Sequence, residues 1–317
     1  MIKNHKVFFF VIFTASILAY FQTVRIDAPN YELKFKRHQE IISNTVEYPY
    51  KYRLLNPYIA NTTFTVLKTA LGEKSAFLLA YFLQNLLVYG FLIFSVRKFL
   101  SLWFDDTGSV VGTLLFAVIV PLSLTGYDTL GDMTTAGIMA TAFYYINMKK
   151  TLPLYILLII GAFNELQLIL IVAFYYLQSV KNIFSGRALV NAALMAIVFI
   201  AVYYVIYLIR GGYASGDDYK WYFTKDAAFN VGHKDWIPLW ALLILPLFWF
   251  AVKGLRPKPE FLRMCLFTVI PIFYFFCFFF IARLREIDKA LTTFLILIPL
   301  ALYTLLPSHV KTERPNA

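Results

Sequence analysis

The chain has 317 residues, of which 60% are hydrophobic, 19% aromatic and only 15% charged, with a mean hydropathy of +0.66. Its 32 Phe and 22 Tyr exclude an ordinary soluble domain and suit membrane helices with aromatic interfacial belts. The net charge of +11 calls for no nucleic-acid partner, because the cytoplasmic loops of polytopic membrane proteins carry excess Lys and Arg.

A bilayer core of roughly 30 Å takes about 20 apolar residues per helix. Eight stretches approach that length: 7–23, 75–95, 108–125, 129–147, 188–209, 236–254, 264–282 and 290–306. With the N-terminus inside, one set of loops carries Arg97, Lys98, Lys149, Lys150, Lys181, Arg187, Lys253, Arg256, Lys258 and Arg263, with few acids. The other set holds most of the acids, so the positive-inside tendency places it outside. The expected fold is all-α and polytopic, with about eight transmembrane helices plus a re-entrant helical hairpin. Both termini lie inside, and residues 1–317 form a single integral membrane domain. The first apolar segment lacks a small-x-small cleavage site at Phe21–Arg25 and reads as a retained helix.

Three segments break the rhythm of span and loop. The first is the outer loop 24–74, which mixes charges with aromatics around Asp27, Tyr31, Tyr50, Tyr52 and Arg53. Charge parity requires an even number of crossings there, so 57–71 reads as an interfacial helix. The second is 152–178, an apolar run interrupted at Asn164-Glu165-Leu166-Gln167 and flanked by bases at both ends. Two halves of about 12 residues rise ~18 Å each and cannot cross a 30 Å core, which points to a re-entrant hairpin with Glu165 at its tip. An ionisable residue inside an apolar run marks a site; the plain alternative is one long tilted helix. The third is the charged turn Arg283-Leu284-Arg285-Glu286-Ile287-Asp288-Lys289. Its cations suit a phosphate, and the plain alternative is a solvated turn of self-paired charges.

The remaining signals are weaker. The long outer loop 210–235, with Trp221, suits an acceptor-binding flap, and its Asp217-Asp218 pair suits either a divalent cation or a solvated turn. Asp128 and Asp132 either line the same cavity or cap the helix over 129–147. Cys265 and Cys277 read as buried small hydrophobes, and no metal-binding motif appears.

Asp27-Ala28-Pro29-Asn30-Tyr31, followed by Tyr50-Lys51-Tyr52-Arg53-Leu54-Leu55-Asn56-Pro57, resembles the first-loop pattern of small bacterial membrane glycosyltransferases of the GT-C superfamily. Asn164-Glu165-Leu166-Gln167 stands where that family has an Asn-Arg-Glu-Thr-like hairpin tip, without the arginine. Glu286-Ile287-Asp288-Lys289 matches the family's late Glu-x-Arg only loosely. The resemblance implies sugar transfer from a polyprenyl-phosphate carrier to a glycan or lipid-linked acceptor, at the outer face of a bacterial plasma membrane. Asp27 would then be the catalytic base, with Glu165 the second catalytic carboxylate. Arg53, Arg283, Arg285 and Lys289 would bind the lipid phosphate. Tyr31, Tyr50, Tyr52 and Trp221 would stack on sugars, beside Asp128 and Glu286. No cofactor is indicated. The rival reading is a transporter or flippase of an amphiphilic anion, although only one interrupted segment is visible where transporters usually have two.

Overall fold

The structure, a computed structural model, describes residues 2–46, 50–124, 126–179, 186–211, 219–281 and 283–311. The described residues are 82% helix, with no strand among them. In chain order the helices are α1 Ile2–Phe21, α2 Tyr31–Ile42, α3 Leu55–Lys68, α4 Glu73–Leu100, α5 Asp106–Ser123, α6 Leu130–Asn147 and α7 Leu152–Ala162. There follow α8 Leu170–Ser179, α9 Gly186–Ile209, α10 Tyr219–Gly232, α11 Trp236–Val252, α12 Glu260–Phe267, α13 Phe278–Ile281 and α14 Leu291–Leu305.

Among the described residues, five helical stretches are long and apolar enough to cross a membrane: His5–Asp27, Glu73–Leu100, Asp106–Ser123, Gly186–Ile209 and Ile287–Leu305. These coincide with five of the eight apolar stretches, and the chain is a helical membrane protein. The other three depart from simple spans for identifiable reasons. The stretch 129–147 does form a helix, α6, but Asp132, Thr134, Thr135 and Thr141 make it too polar to face lipid. It is instead buried on nearly every side, at the centre of the bundle. The stretch 236–254 forms α11, which meets Asp226–Gly232 at an 87° bend. The stretch 264–282 breaks into α12, a π-helix over Ile270–Cys277, and α13. Pro271 lies in that break, where it removes a backbone donor and its ring crowds the preceding turn.

Close packing of α4 on α6 depends on small residues. A Cβ on Gly137 would fall 2.7 Å from the Phe91 ring, so only glycine admits this approach. At the far end of α6, Phe143 meets Phe99, Phe174 and Phe261 at ring-centroid distances of 5.5, 4.7 and 5.5 Å. Described loop residues gather at the two ends of the bundle. One end gathers Lys98 over Tyr144, Lys258 on the carbonyls of Phe250 and Ala251, and Lys311 on that of Trp103. The other gathers Ile41, Lys51 and Tyr58 around Arg210, and Leu54 on Phe163.

The run 152–178 is not one helix. It breaks after Ala162, and Glu165 is extended (φ −162°, ψ 140°). The tip sits beside the first turns of α6, with Asn164 Nδ2 donating to Gly131 O (2.9 Å). Past the tip, Phe174 of α8 packs on Phe143, near the opposite end of α6. The chain therefore runs out along α7 and doubles back along α8.

Each long loop contains a helix that the expectation lacked, α2 and α10, and the helix expected over 57–71 is present as α3. The first holds α2 and α3. Rather than lying apart, α3 runs back along α4, with Asn56 bonded to Gln84 and Phe64 against Phe77. The second, read as a loop over 210–235, contains α10. Asp217 and Asp218 lie outside the described residues, as does the Trp221 side chain.

Candidate functional site

Helix α1 ends in a π-helix over Gln22–Asp27, and such turns recur at functional sites. Its i→i+5 bonding brings residues five apart onto one face, so that Gln22 Nε2 donates to Asp27 Oδ1 at 3.0 Å. Asn85 Nδ2, from the middle of α4, donates to Asp27 Oδ2 at 3.0 Å. Lys34 reaches over from α2 to place Nζ 2.7 Å from Asp27 Oδ1, and the ammonium also sits 4.1 Å above the Tyr81 ring. Asp27 has no exposed surface and Lys34 is 4% exposed. Charge, hydrogen bonding and aromatic contact together offset the cost of burying this pair.

A second buried pair holds the hairpin tip. Arg53 Nη2 donates to Glu165 Oε1 at 2.5 Å, while Thr135 Oγ1 (2.9 Å) and Gln167 Nε2 (2.7 Å) donate to Oε2. Burial works against the Arg53 charge, but Glu165 together with Asp132, Tyr50 and Asp128 outweighs it and keeps the guanidinium protonated. Next to the pair, Asn56 Nδ2 donates to Asn164 Oδ1 and Thr134 Oγ1, both at 3.0 Å. The backbone N–H groups of Leu54 and Leu55 donate to Phe163 O at 2.8 and 2.9 Å. The Arg53 stretch and the hairpin, far apart in sequence, thus form one polar unit.

Between these pairs lies a cleft of about 50 Å³. Lys34, Arg37 and Arg53 supply its cations, Asp128 its carboxylate, and Tyr50, Tyr81 and Tyr127 aromatic surface. The Tyr50 ring is flanked by Arg37 at 4.4 Å and Arg53 at 5.5 Å. Burial pushes the Tyr50 phenol pKa up and Asp128 adds to this, while Arg53, Lys289 and Arg37 pull it down. Asp128 makes no hydrogen bond or ion pair with another described residue, so the expected helix-capping role is not realised. Burial raises its pKa, against the opposing influence of Arg37, Lys34 and Arg53.

The structure therefore brings Arg53, Tyr50, Asp128 and Glu165 together, with Asp27 buried just behind. It does not bring Tyr31 or Tyr52 to the cleft. Tyr31 stacks on Phe35 and packs against Phe77, in an aromatic cluster that also holds Phe64, His38 and Tyr81. Tyr52 packs on Tyr203 and Tyr207 of α9 and is 3% exposed. Arg283 and Arg285 lie loosely beside Asp226 (3.8 Å) and Asp235 (3.9 Å), while Glu286 pairs with Lys289. From that charged turn, Lys289 acts electrostatically on Tyr50 and Arg53 of the cleft, and Asp288 on Glu165.

Lys34, His38, Gln84 and Asn85 escaped the sequence reading, and each had a signal. Lys34 and His38 occupy the buried stripe of α2 with Tyr31 and Ile41, where apolar residues are the rule. Gln84 and Asn85 are polar residues in the middle of an apolar span. Asp132 and Asp288 are 3% and 4% exposed, each with an Oδ1 that has no hydrogen-bond partner. Among the described residues, no group of three or more His, Cys, Asp or Glu is placed to hold a metal ion.

Comparison with protein-family models, with curated proteins and with solved structures finds no match to this chain.

Proposed function

We propose that the protein is a membrane glycosyltransferase that moves a sugar from a polyprenyl-phosphate carrier to a glycan or lipid-linked acceptor at the outer face of a bacterial plasma membrane. One observation carries this reading: Lys34, Arg37 and Arg53 converge with Asp128 on a single cleft at one end of a membrane bundle. Displacing a lipid phosphate from the anomeric carbon leaves negative charge on the phosphate, which prearranged cations stabilise. The attacking hydroxyl must lose a proton, which calls for a carboxylate within reach. Tyr50, flanked by Arg37 and Arg53, adds an aromatic ring to the same cleft. A volume of 50 Å³ is room for one or two waters, so binding of a sugar phosphate requires the cleft to widen.

In this proposal both termini face the cytoplasm, eight segments cross, and α7–α8 forms a re-entrant hairpin. Cysteines introduced at 40 and 220 of a Cys-free variant then react with an impermeant reagent in intact cells. Those at 150 and 257 react only after permeabilisation, and outside labelling of 180 would make 152–178 a crossing. The function is tested with purified protein in liposomes, using synthetic polyprenyl-phosphate sugars and acceptor-bearing membranes. Transfer of labelled sugar supports the reading, and its absence with every donor sinks it. The rival, transport of an amphiphilic anion, draws on Asp132 and Asp288, since buried membrane carboxylates mark ion and proton paths. It predicts flux of labelled lipid phosphate across the liposome membrane without transfer.

A further inference from the structure

The carboxylates of Asp27, Glu165 and Asp128 surround the cleft, and they differ in what holds them. Asp27 has no exposed surface, does not line the cleft, and is engaged by Gln22, Asn85 and Lys34. Protonating it would leave the buried Lys34 ammonium without its counter-charge, a costly state in a low-dielectric site. Glu165 has both oxygens committed, one to Arg53 and the other to Thr135 and Gln167. Accepting a proton there would loosen the contact that holds Arg53 in the cleft. Asp128 lines the cleft and has neither hydrogen bond nor ion pair among the described residues. Its neighbours across the cleft are Arg37, Lys34 and Arg53, which also supply the surface for an anion.

We propose that Asp128 is the proton acceptor of the transfer reaction, with Asp27 as the buried counter-charge that positions Lys34. This rests on the glycosyltransferase reading above. In the step, the acceptor hydroxyl oxygen forms a bond to the anomeric carbon while the bond from that carbon to the phosphate oxygen breaks. The bonding pair leaves on the lipid phosphate, beside Arg37 and Arg53. The hydroxyl proton passes to an Asp128 carboxylate oxygen and then to solvent. Burial supports the role, because a carboxylate with raised pKa holds a proton better near neutral pH.

The test uses full-length protein in liposomes, with farnesyl-phosphate glucose, galactose and mannose as donors and acceptor-bearing membranes. Asp128→Asn is expected to lower kcat by about 10²–10⁴-fold, the usual loss for a general base, with little change in KM. Asp128→Glu is expected to restore part of the rate. In addition, dicyclohexylcarbodiimide added to the unmodified protein is expected to label Asp128 and not Asp27, and farnesyl phosphate to protect it. Normal kcat in Asp128→Asn, with transfer intact in the parent, would overturn this assignment and leave the transferase reading standing. Labelling of Asp27 in preference to Asp128 would also overturn it. Failure of the parent protein to transfer from any of the donors removes both.

Discussion

The cleft and the 283–289 turn contain the same residue types, arginine, lysine and carboxylates, yet they differ in what surrounds the charges. In the cleft, Arg53 and Lys34 meet Glu165 and Asp27 at 2.5 and 2.7 Å, and at least one partner of each pair is 9% exposed or less. Asn85 and Thr135 donate to the two carboxylates, and Asn56 and Gln84 extend the polar network beside them. In the turn, the Arg283 and Arg285 side chains are about half exposed and stand 3.8–3.9 Å from their carboxylates. Water screens the second group and is excluded from the first, so equal charges have unequal consequences. A count of cations in the sequence cannot rank the two regions. Burial ranks them.

That contrast breaks first at Asp27. Asp27→Asn is expected to destabilise the solubilised protein by about 3–5 kcal/mol, because it leaves the Lys34 charge buried without a partner. Thermal unfolding in detergent checks this, and Asp27→Asn combined with Lys34→Met is expected to recover most of the loss. A single variant as stable as the parent would show that the pair is solvated.

Arg53→Ala ranks next. It removes a charge-assisted bond to Glu165, with an expected cost of about 1.5–3 kcal/mol. It also frees the hairpin tip, so proteolysis or hydrogen exchange around Phe163–Gln167 should increase. Donor binding should weaken more than in Lys68→Ala, since Lys68 is half exposed and pairs at the surface with Glu73. Equal small effects of the two changes would reduce Arg53 to a surface charge.

His38 gives a smaller effect with a definite sign. Burial lowers its pKa; its bond to Asn61 pulls the other way and Lys34 adds to the lowering. Below about pH 6.5, the unfolded chain takes up a proton that the buried imidazole resists. Its stabilising contribution is therefore present above that pH and is lost as the pH falls. The melting temperature should drop more from pH 7.5 to 5.5 in the parent than in His38→Gln.

The smallest effect is expected at the turn. Arg285→Ala should change stability by under about 0.5 kcal/mol, as for most exposed pairs. A loss as large as that of Arg53→Ala would erase the distinction between the two regions.

Much of this protein follows from sequence alone. Membrane character and five helices long and apolar enough to cross come from runs of apolar residues, because a bilayer core admits only helices of a minimum length. The break at Asn164-Glu165 shows because a polar pair interrupts such a run, and the two halves are too short to cross. Helix α6 carries Asp132, Thr134 and Thr135, which packing buries, whereas the stretch 264–282 is strongly apolar and breaks at Pro271. The placement of Tyr31 and Tyr52 in aromatic clusters, and of Arg283 and Arg285 at the periphery, needed the tertiary fold. So did the pairing of Asp27 with Lys34 and of Arg53 with Glu165, and the exposure of Asp128 to the cleft. Hydropathy sums over neighbours along the chain, whereas a charge's partner and its distance from water depend on residues that only folding brings near.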